Sequence, residues 1–373
     1  MLPALQKDKK EYVIASAICV ALALAFALGI YAFRGAIFGR TEVAAPLPET
    51  PTTPVYRHPL TGARVEAPVE TLPQVYAVMI DDSVDAWPQS GIDDAFMVIE
   101  APVEAGIPRL EAFFYQGTDV PKIGPVRSAR PYFVDWAYEL DAMYVHVGGS
   151  DQALDLIGSN GTFDLNQFWN GDYFWRSTDR FAPHNVYTST ELLGEALANA
   201  QERERAPERL YGAWMFVDAV SERPEQGADI MIDSVSATYR VDWKYDETNG
   251  RYQRFKAGLP DTTLEGDDVW ADNIAVVVTS VTVVDNVGRR AVVTVGEGQG
   301  YVFQDGRVIE ATWKKLSTGE RLRFYDATGK EIAMVAGSTW IHVVPSEDYV
   351  VIKAPTPDES ALDVRDDDAI EAF

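Results

Sequence analysis

The chain has 373 residues, 47% of them hydrophobic and 24% charged, which is enough apolar material for a packed core and excludes a disordered or collagen-like chain. Its 32 Lys and Arg stand against 57 Asp and Glu, a net charge of −25. Residues 1–40 hold five basic and two acidic residues, so the acidity lies beyond them. A field of that sign repels nucleic acid and anionic head groups and leaves room only for a local basic pocket.

From Tyr12 to Phe33 the run YVIASAICVALALAFALGIYAF carries no charge, and at about 1.5 Å per residue it covers roughly 30 Å of hydrocarbon. It predicts one transmembrane helix. The run is longer than the apolar core of a cleaved signal peptide, so the anchor is expected to stay on. Lys7, Lys9 and Lys10 before the span, against Arg34 and Arg40 after it, place residues 1–11 in the cytoplasm and the rest outside it, in a single-pass plasma-membrane topology. The lone Cys19 lies within the span, after Ile18 instead of the small residue of a lipoprotein signal, and reads as membrane filler.

Residues 34–74 form a linker, rich in Pro, Thr and Glu from Thr41 onward. VYAVMID (Val75–Asp81), AFMVIEA (Ala95–Ala101) and RLEAFFYQ (Arg109–Gln116) then read as strands. PYFVDWAYEL (Pro131–Leu140) reads as a helix with Pro at its first position, AMYVHVGG (Ala142–Gly149) follows, and a further helix opens at Ser150-Asp151. Strand and helix alternate to residue 206, which predicts a mixed α/β domain over 75–206. Residues 207–230 lose periodicity and are expected to connect it to a second domain. Over 231–354, β-rich segments separated by Asn249-Gly250, Asp305-Gly306 and Thr328-Gly329 predict a mostly antiparallel all-β domain. The expected class is thus α+β. Residues 355–373, with seven acids and one arginine, predict a solvated disordered tail.

Between Val65 and Trp175 only Arg109, Lys122, Arg127 and Arg130 are basic, against eighteen acids, and three of the four fall within PKIGPVRSAR (Pro121–Arg130). Arginine forks suit carboxylate and phosphate oxygens. With Ser128 as N-cap ahead of Pro131, a helix start would aim its positive end at the same anion. The competing reading is a structural network with Glu100, Glu104, Asp135 or Glu139. Asp81 and Asp82 end the first strand where open α/β sheets bind ligands, either as metal or base carboxylates or as turn-forming residues. Glu104 either fixes an arginine or works as an acid/base partner. His146 ends an apolar strand, where a histidine serves as a ligand or as a satisfied core residue. In FWNGDYFWRSTDRFAPHN (Phe168–Asn185), aromatics surround Arg176, Arg180, His184 and Asn185, as in a sugar- or peptide-holding loop or a loop packed by its own rings. Asp81, Asp82, Glu104 and His184 are the catalytic candidates. No H-E-x-x-H, P-loop, G-x-S-x-G or G-x-G-x-x-G motif occurs, no metal set is named, and the cofactor stays open.

Several runs here resemble the YerB-like bacterial lipoprotein family, whose members carry a domain of unknown function with N- and C-terminal parts. They include HPLTG (His58–Gly62), PQSGI (Pro88–Ile92), EAPVEAGIPR (Glu100–Arg109), KIGPVRSARPYFVDWA (Lys122–Ala137), YVHVGGS (Tyr144–Ser150), APHNVYT (Ala182–Thr188), ATWKK (Ala311–Lys315) and GSTWIHVVP (Gly337–Pro345). The resemblance implies a two-part, surface-displayed protein and no particular activity. Members often carry a lipidated cysteine where this chain has its apolar run, commonly have Arg where Trp87 precedes PQSG, and have a glycine pair at Ala105-Gly106. The order of elements is also similar to that of the LytR-CpsA-Psr phosphotransferases, as an analogy of fold only.

Three functions follow as expectations. The first is a membrane-anchored envelope protein whose α/β domain binds an anion such as a cell-wall precursor, glycan or peptide carboxylate, held by Arg109, Lys122, Arg127 and Arg130 with His184 closing the pocket. The second is a metal-assisted phosphotransferase on lipid-linked polymers. The third is a non-catalytic scaffold docking a protein partner through the β domain. Nucleic acid is not an expected partner.

Overall fold

A computed structural model describes residues 4–37, 54–220, 227–233 and 236–353. The chain divides into two compact units, Met1–Pro54 and Val55–Phe373. The first contains helix α1 (Ala4–Ile37), in which side chains are described at 13–14 and 16–31, all of them exposed. No helix among the described residues is long and apolar enough to cross a membrane, so the span expected over Tyr12–Phe33 gains no support from the structure. Residues 38–53 of the expected linker and the acidic tail lie outside the described residues. The end of that linker is folded: Tyr56–Arg57 pairs with Arg64–Val65, and Leu60 is buried in the core.

The second unit is built on a ten-stranded sheet. Its first five strands are β1 (Val75–Asp81), β2 (Met97–Pro102), β3 (Pro108–Tyr115), β4 (Met143–His146) and β5 (Phe163–Asn166). A smaller antiparallel sheet uses β6 (Asp229–Ile232), β7 (Val241–Asp246), β8 (Arg251–Lys256), β9 (Leu259–Pro260) and β15 (Val350–Lys353), and Trp270–Ala271 adds to β8. The large sheet is completed by β10 (Asn273–Val278), β11 (Gly296–Gln304), β12 (Arg307–Lys315), β13 (Arg323–Tyr325) and β14 (Thr339–Val344). Its order is β13-β12-β11-β10-β14-β2-β3-β1-β4-β5.

Two domains were expected over 75–206 and 231–354, but the strands of the two regions share this one sheet. Strand β14 pairs in parallel with β2, from Thr339 opposite Met97 to His342 opposite Glu100, and also in parallel with β10. Left unpaired, β2 would present an open apolar edge, and β14 covers it. The turn signals hold locally. Asp305 and Gly306 both take positive φ, 51° and 73°, as the tight hairpin between β11 and β12 demands.

All seven residues of β1 are buried, because both sheet faces are covered. Val75, Ala77 and Met79 face a layer formed with α2 (Pro131–Tyr138) and α3 (Asp151–Asn160). Tyr76, Val78 and Ile80 face α4 (Thr190–Glu202) and the apolar side of the small sheet, including Trp243 and Tyr252. Ser150 caps α3 and Ser189 caps α4, each hydroxyl accepting a backbone N–H three residues on. The N-cap of α2 is Arg130 in an extended conformation, not the expected Ser128, and Pro131 fills the first helical position. At the other end of α2, Glu139 is buried against Lys315 and Arg321 at 2.8 and 2.9 Å, tying the helix to β12 and the segment after it.

Candidate functional site

The parallel strands β1 and β4 lie side by side, and the chain leaves them in opposite directions: from β1 to β2 and β3 on one side, and from β4 to β5 on the other. The carboxyl ends of such a pair form the crevice where open α/β sheets take ligands. Asp81 ends β1 here. The loop before α2 crosses the same end, since Arg127 N–H donates to Met79 O and Val147 N–H to Arg127 O.

Asp81 is 3% exposed and organises the crevice. Its Oδ1 accepts the Ser83 amide at 3.0 Å, while Oδ2 lies 2.7 Å from His184 Nδ1 and 3.1 Å from Arg127 Nε. Burial alone would raise this carboxyl, but the Ser83 amide, Arg127, His184 and Arg109 outweigh it and hold it below the usual range. A carboxylate only accepts, so the imidazole proton belongs on Nδ1, and in neutral His184 the Nε2 lone pair faces away from Asp81, 3.9 Å from exposed Asp85. Ser83 Oγ lies 3.2 Å from the same Nδ1. Arg127 touches Asp81 through Nε as an ion pair without hydrogen-bond alignment, and its two Nη groups make no hydrogen bond among the described residues. The arrangement thus offers a guanidinium edge beside an imidazole that can accept or donate a proton.

Other predicted residues surround this core or brace it. Arg109 is 6% exposed, donates to Ser128 O at 2.9 Å, and is pushed down to about 10 by burial and by Arg130. Arg130 forks onto Glu104 with both N–O distances at 2.8 Å, so Glu104 fixes an arginine. Lys122 sits over the Tyr187 ring at 4.6 Å. Arg176 donates to Asn185 Oδ1 and Asn185 to Ser177 O within the aromatic loop, and Arg180 ties the loop to the 85–88 segment through Asp85 O and Pro88 O.

Two expectations are corrected. His146 is fully buried with Nδ1 2.6 Å from Gly148 O and Nε2 2.7 Å from Asp164, so both ring nitrogens are taken and it is no ligand residue. Asp81 and Asp82 are successive residues at a strand end and point to opposite faces. Asp82 accepts from Trp87 Nε1, Gln89 Nε2 and Lys256 Nζ at 2.8, 2.6 and 2.6 Å, so the pair does not converge on a metal. No group of three or more His, Cys, Asp or Glu among the described residues is placed to hold a metal ion.

One cluster escaped the sequence reading. Arg254, fully buried on β8, binds Glu100 at 2.6 Å and Asp261, and stacks on Trp340 at 4.6 Å. Lys256, two residues on, binds Asp82 and lies 4.5 Å from the Trp87 ring centre. Its acids and bases lie far apart in the chain, and only the alternation of Arg254 and Lys256 on one face of a strand hinted at it.

The fold and crevice define a mixed α+β protein with a small-sheet layer buried against a large one. The chain belongs to the family described as "Protein of unknown function (DUF3048)": its N-terminal domain model matches residues 60–204 and its C-terminal domain model residues 230–341. It is 33% identical over 298 residues to "Putative lipoprotein YerB" of Bacillus subtilis (strain 168), covering 79% of this chain and 88% of that one. The crystal structure of YerB protein from Bacillus subtilis superposes with a TM-score of 0.70 at 31% identity, over 80% of this chain and 99% of that chain.

Proposed function

We propose that this chain is an envelope protein tethered to the membrane by its apolar N-terminal helix, and that it binds an anionic group, phosphate or carboxylate, in the crevice at the ends of β1 and β4. The lipoprotein name of its relative supports the location. In α1, large apolar side chains such as Phe26 and Tyr31 are more than 70% exposed and require a cover, which a bilayer supplies. A helical anchor would then do the work that a lipid does in lipoproteins.

The observation that carries the binding reading is Arg127, anchored to Asp81 through Nε while its Nη edge stays unengaged. Arg109, Arg127 and Arg130 stand against Asp81, Glu104 and the exposed Asp85 beside His184, three of each sign in an otherwise acidic protein. His184 would add a hydrogen bond from Nε2 when protonated. Calorimetric titration of the full chain with pyrophosphate and, separately, citrate tests this reading. Arg127→Gln is expected to weaken whichever anion binds by about tenfold or more, roughly 1.4 kcal/mol, without a change in fold. Equal affinity in the variant, or no binding of either anion to the native chain, would reject the reading.

A further inference from the structure

A cavity of about 220 Å³ opens at the carboxyl ends of β2 and β14, between the large sheet and Ile232 of the small one. It is distinct from the Arg127 crevice and is smaller than the roughly 300–1,000 Å³ of pockets for drug-sized ligands. Glu100 and His342 line it and are 7% and 1% exposed, with Asp233 and Arg290 also on its wall. Glu100 Oε2 is taken by Arg254 at 2.6 Å, whereas Oε1 has no hydrogen-bond partner among the described residues. His342 Nε2 accepts the Trp243 indole N–H at 2.8 Å, so its own proton sits on Nδ1, 3.6 Å from Glu100. Burial, with Arg254 nearby, pushes His342 down to about 3, so the imidazole adds no positive charge.

The charge balance behind this wall is uneven. Asp82, Glu100 and Asp261 contribute three carboxylates, and only Arg254 and Lys256 answer them. Burial pushes Asp82 up, with Lys256 and Arg254 opposing the shift and Glu100 adding to it. A cation beside Glu100 Oε1 would complete the set, and a buried carboxylate left short of a partner is costly. Arg290 sits on the same wall, its Nε 3.4 Å from Val103 O. It gives the cavity a positive side opposite in sign to Glu100.

We infer that this cavity binds the ammonium group of an amino-acid-sized molecule on Glu100, with the carboxylate of that molecule on Arg290. The inference stands apart from the anion crevice and survives the failure of that reading. The test is calorimetric titration of the full chain with alanine, with alaninamide (an ammonium without a carboxylate) and with N-acetylalanine (a carboxylate without an ammonium), and with lysine as a longer amine. Alanine or lysine should bind, alaninamide should bind more weakly than alanine, and N-acetylalanine should not bind. Arg290→Gln should weaken alanine or lysine about tenfold while leaving alaninamide within twofold. Because Glu100→Gln also disturbs Arg254, Val281→Trp at the cavity wall serves as the blocking variant and should abolish binding with the fold intact. Binding of N-acetylalanine as tight as that of alanine, full affinity in Val281→Trp, or no amine binding to the native chain overturns the inference.

Discussion

Arg130 and Glu104 face each other as a two-point fork, Nε to Oε1 and Nη2 to Oε2 both at 2.8 Å, with side chains only 12% and 22% exposed. The pair joins the start of α2 to the turn between β2 and β3, so this arginine is a brace beside the crevice, while Arg127 presents a free edge. Arg130→Gln is expected to destabilise the fold by about 1.5–3 kcal/mol, measured by denaturant unfolding, because a charge-assisted fork is lost at a partly buried site.

The same fork sets an acid limb. Burial alone would raise Glu104, but the hydrogen bonds and charge of Arg130 hold it below its ordinary value of 4.5. A carboxyl depressed in the folded state contributes stability above about pH 4.5, and loses it as pH falls through the folded value. Melting midpoints of the native chain should therefore drop more steeply below pH 4.5 than those of Glu104→Gln. Parallel curves would contradict this.

His342 follows the same linkage as Glu104, but over a higher pH range. Its folded value, about 3, lies below the ordinary 6.5, so the unfolded chain takes up the proton first and stability declines as pH falls from 6.5 toward 3. In His342→Gln the side-chain oxygen can still accept the Trp243 N–H, and the slope of melting midpoint against pH between 6.5 and 4 should flatten.

Much of the fold was legible in local patterns. The strands at 75–81, 95–101 and 109–116 and the helix from Pro131 stand where β-branched runs and the proline placed them, and Ser150 caps α3 as its sequence position announces. What local pattern does not carry is which strands become neighbours. The β14–β2 pairing, 242 residues apart at Thr339 and Met97, turned two expected domains into one sheet. The site was half legible. Scarcity of basic residues marked Arg109, Arg127 and Arg130, but separating the free guanidinium from the tied ones needed Glu104 and Ser128 O in place. His146, ending an apolar strand, was open to a ligand or a satisfied-core reading, and Gly148 O and Asp164 on its two ring nitrogens decide for the core.

Trp87 occupies a position where relatives were expected to carry arginine, and the structure gives it two contacts: its N–H donates to Asp82 and its ring lies under Lys256. Trp87→Phe keeps the ring and removes the donor. A loss of about 1–2 kcal/mol in unfolding free energy is expected, against little change if the indole N–H were idle.

Arg254 bears the largest structural load of any charge discussed here, because Glu100 and Asp261 both lean on one fully buried guanidinium. Arg254→Met should cost about 3–5 kcal/mol, read from the denaturation midpoint, since it leaves buried Glu100 without its cation and Asp261 with Lys256 alone.

The most direct measurement on the anion crevice is NMR of the full chain with ¹⁵N-labelled arginine side chains, titrated with pyrophosphate and with citrate. The account predicts that the Arg127 guanidinium signals, assigned by their loss in Arg127→Gln, move saturably with one of the two anions while those of Arg130 and Arg254 stay in place. Arg127 signals that never move, or that move no more than those of exposed arginines elsewhere on the surface, would contradict it.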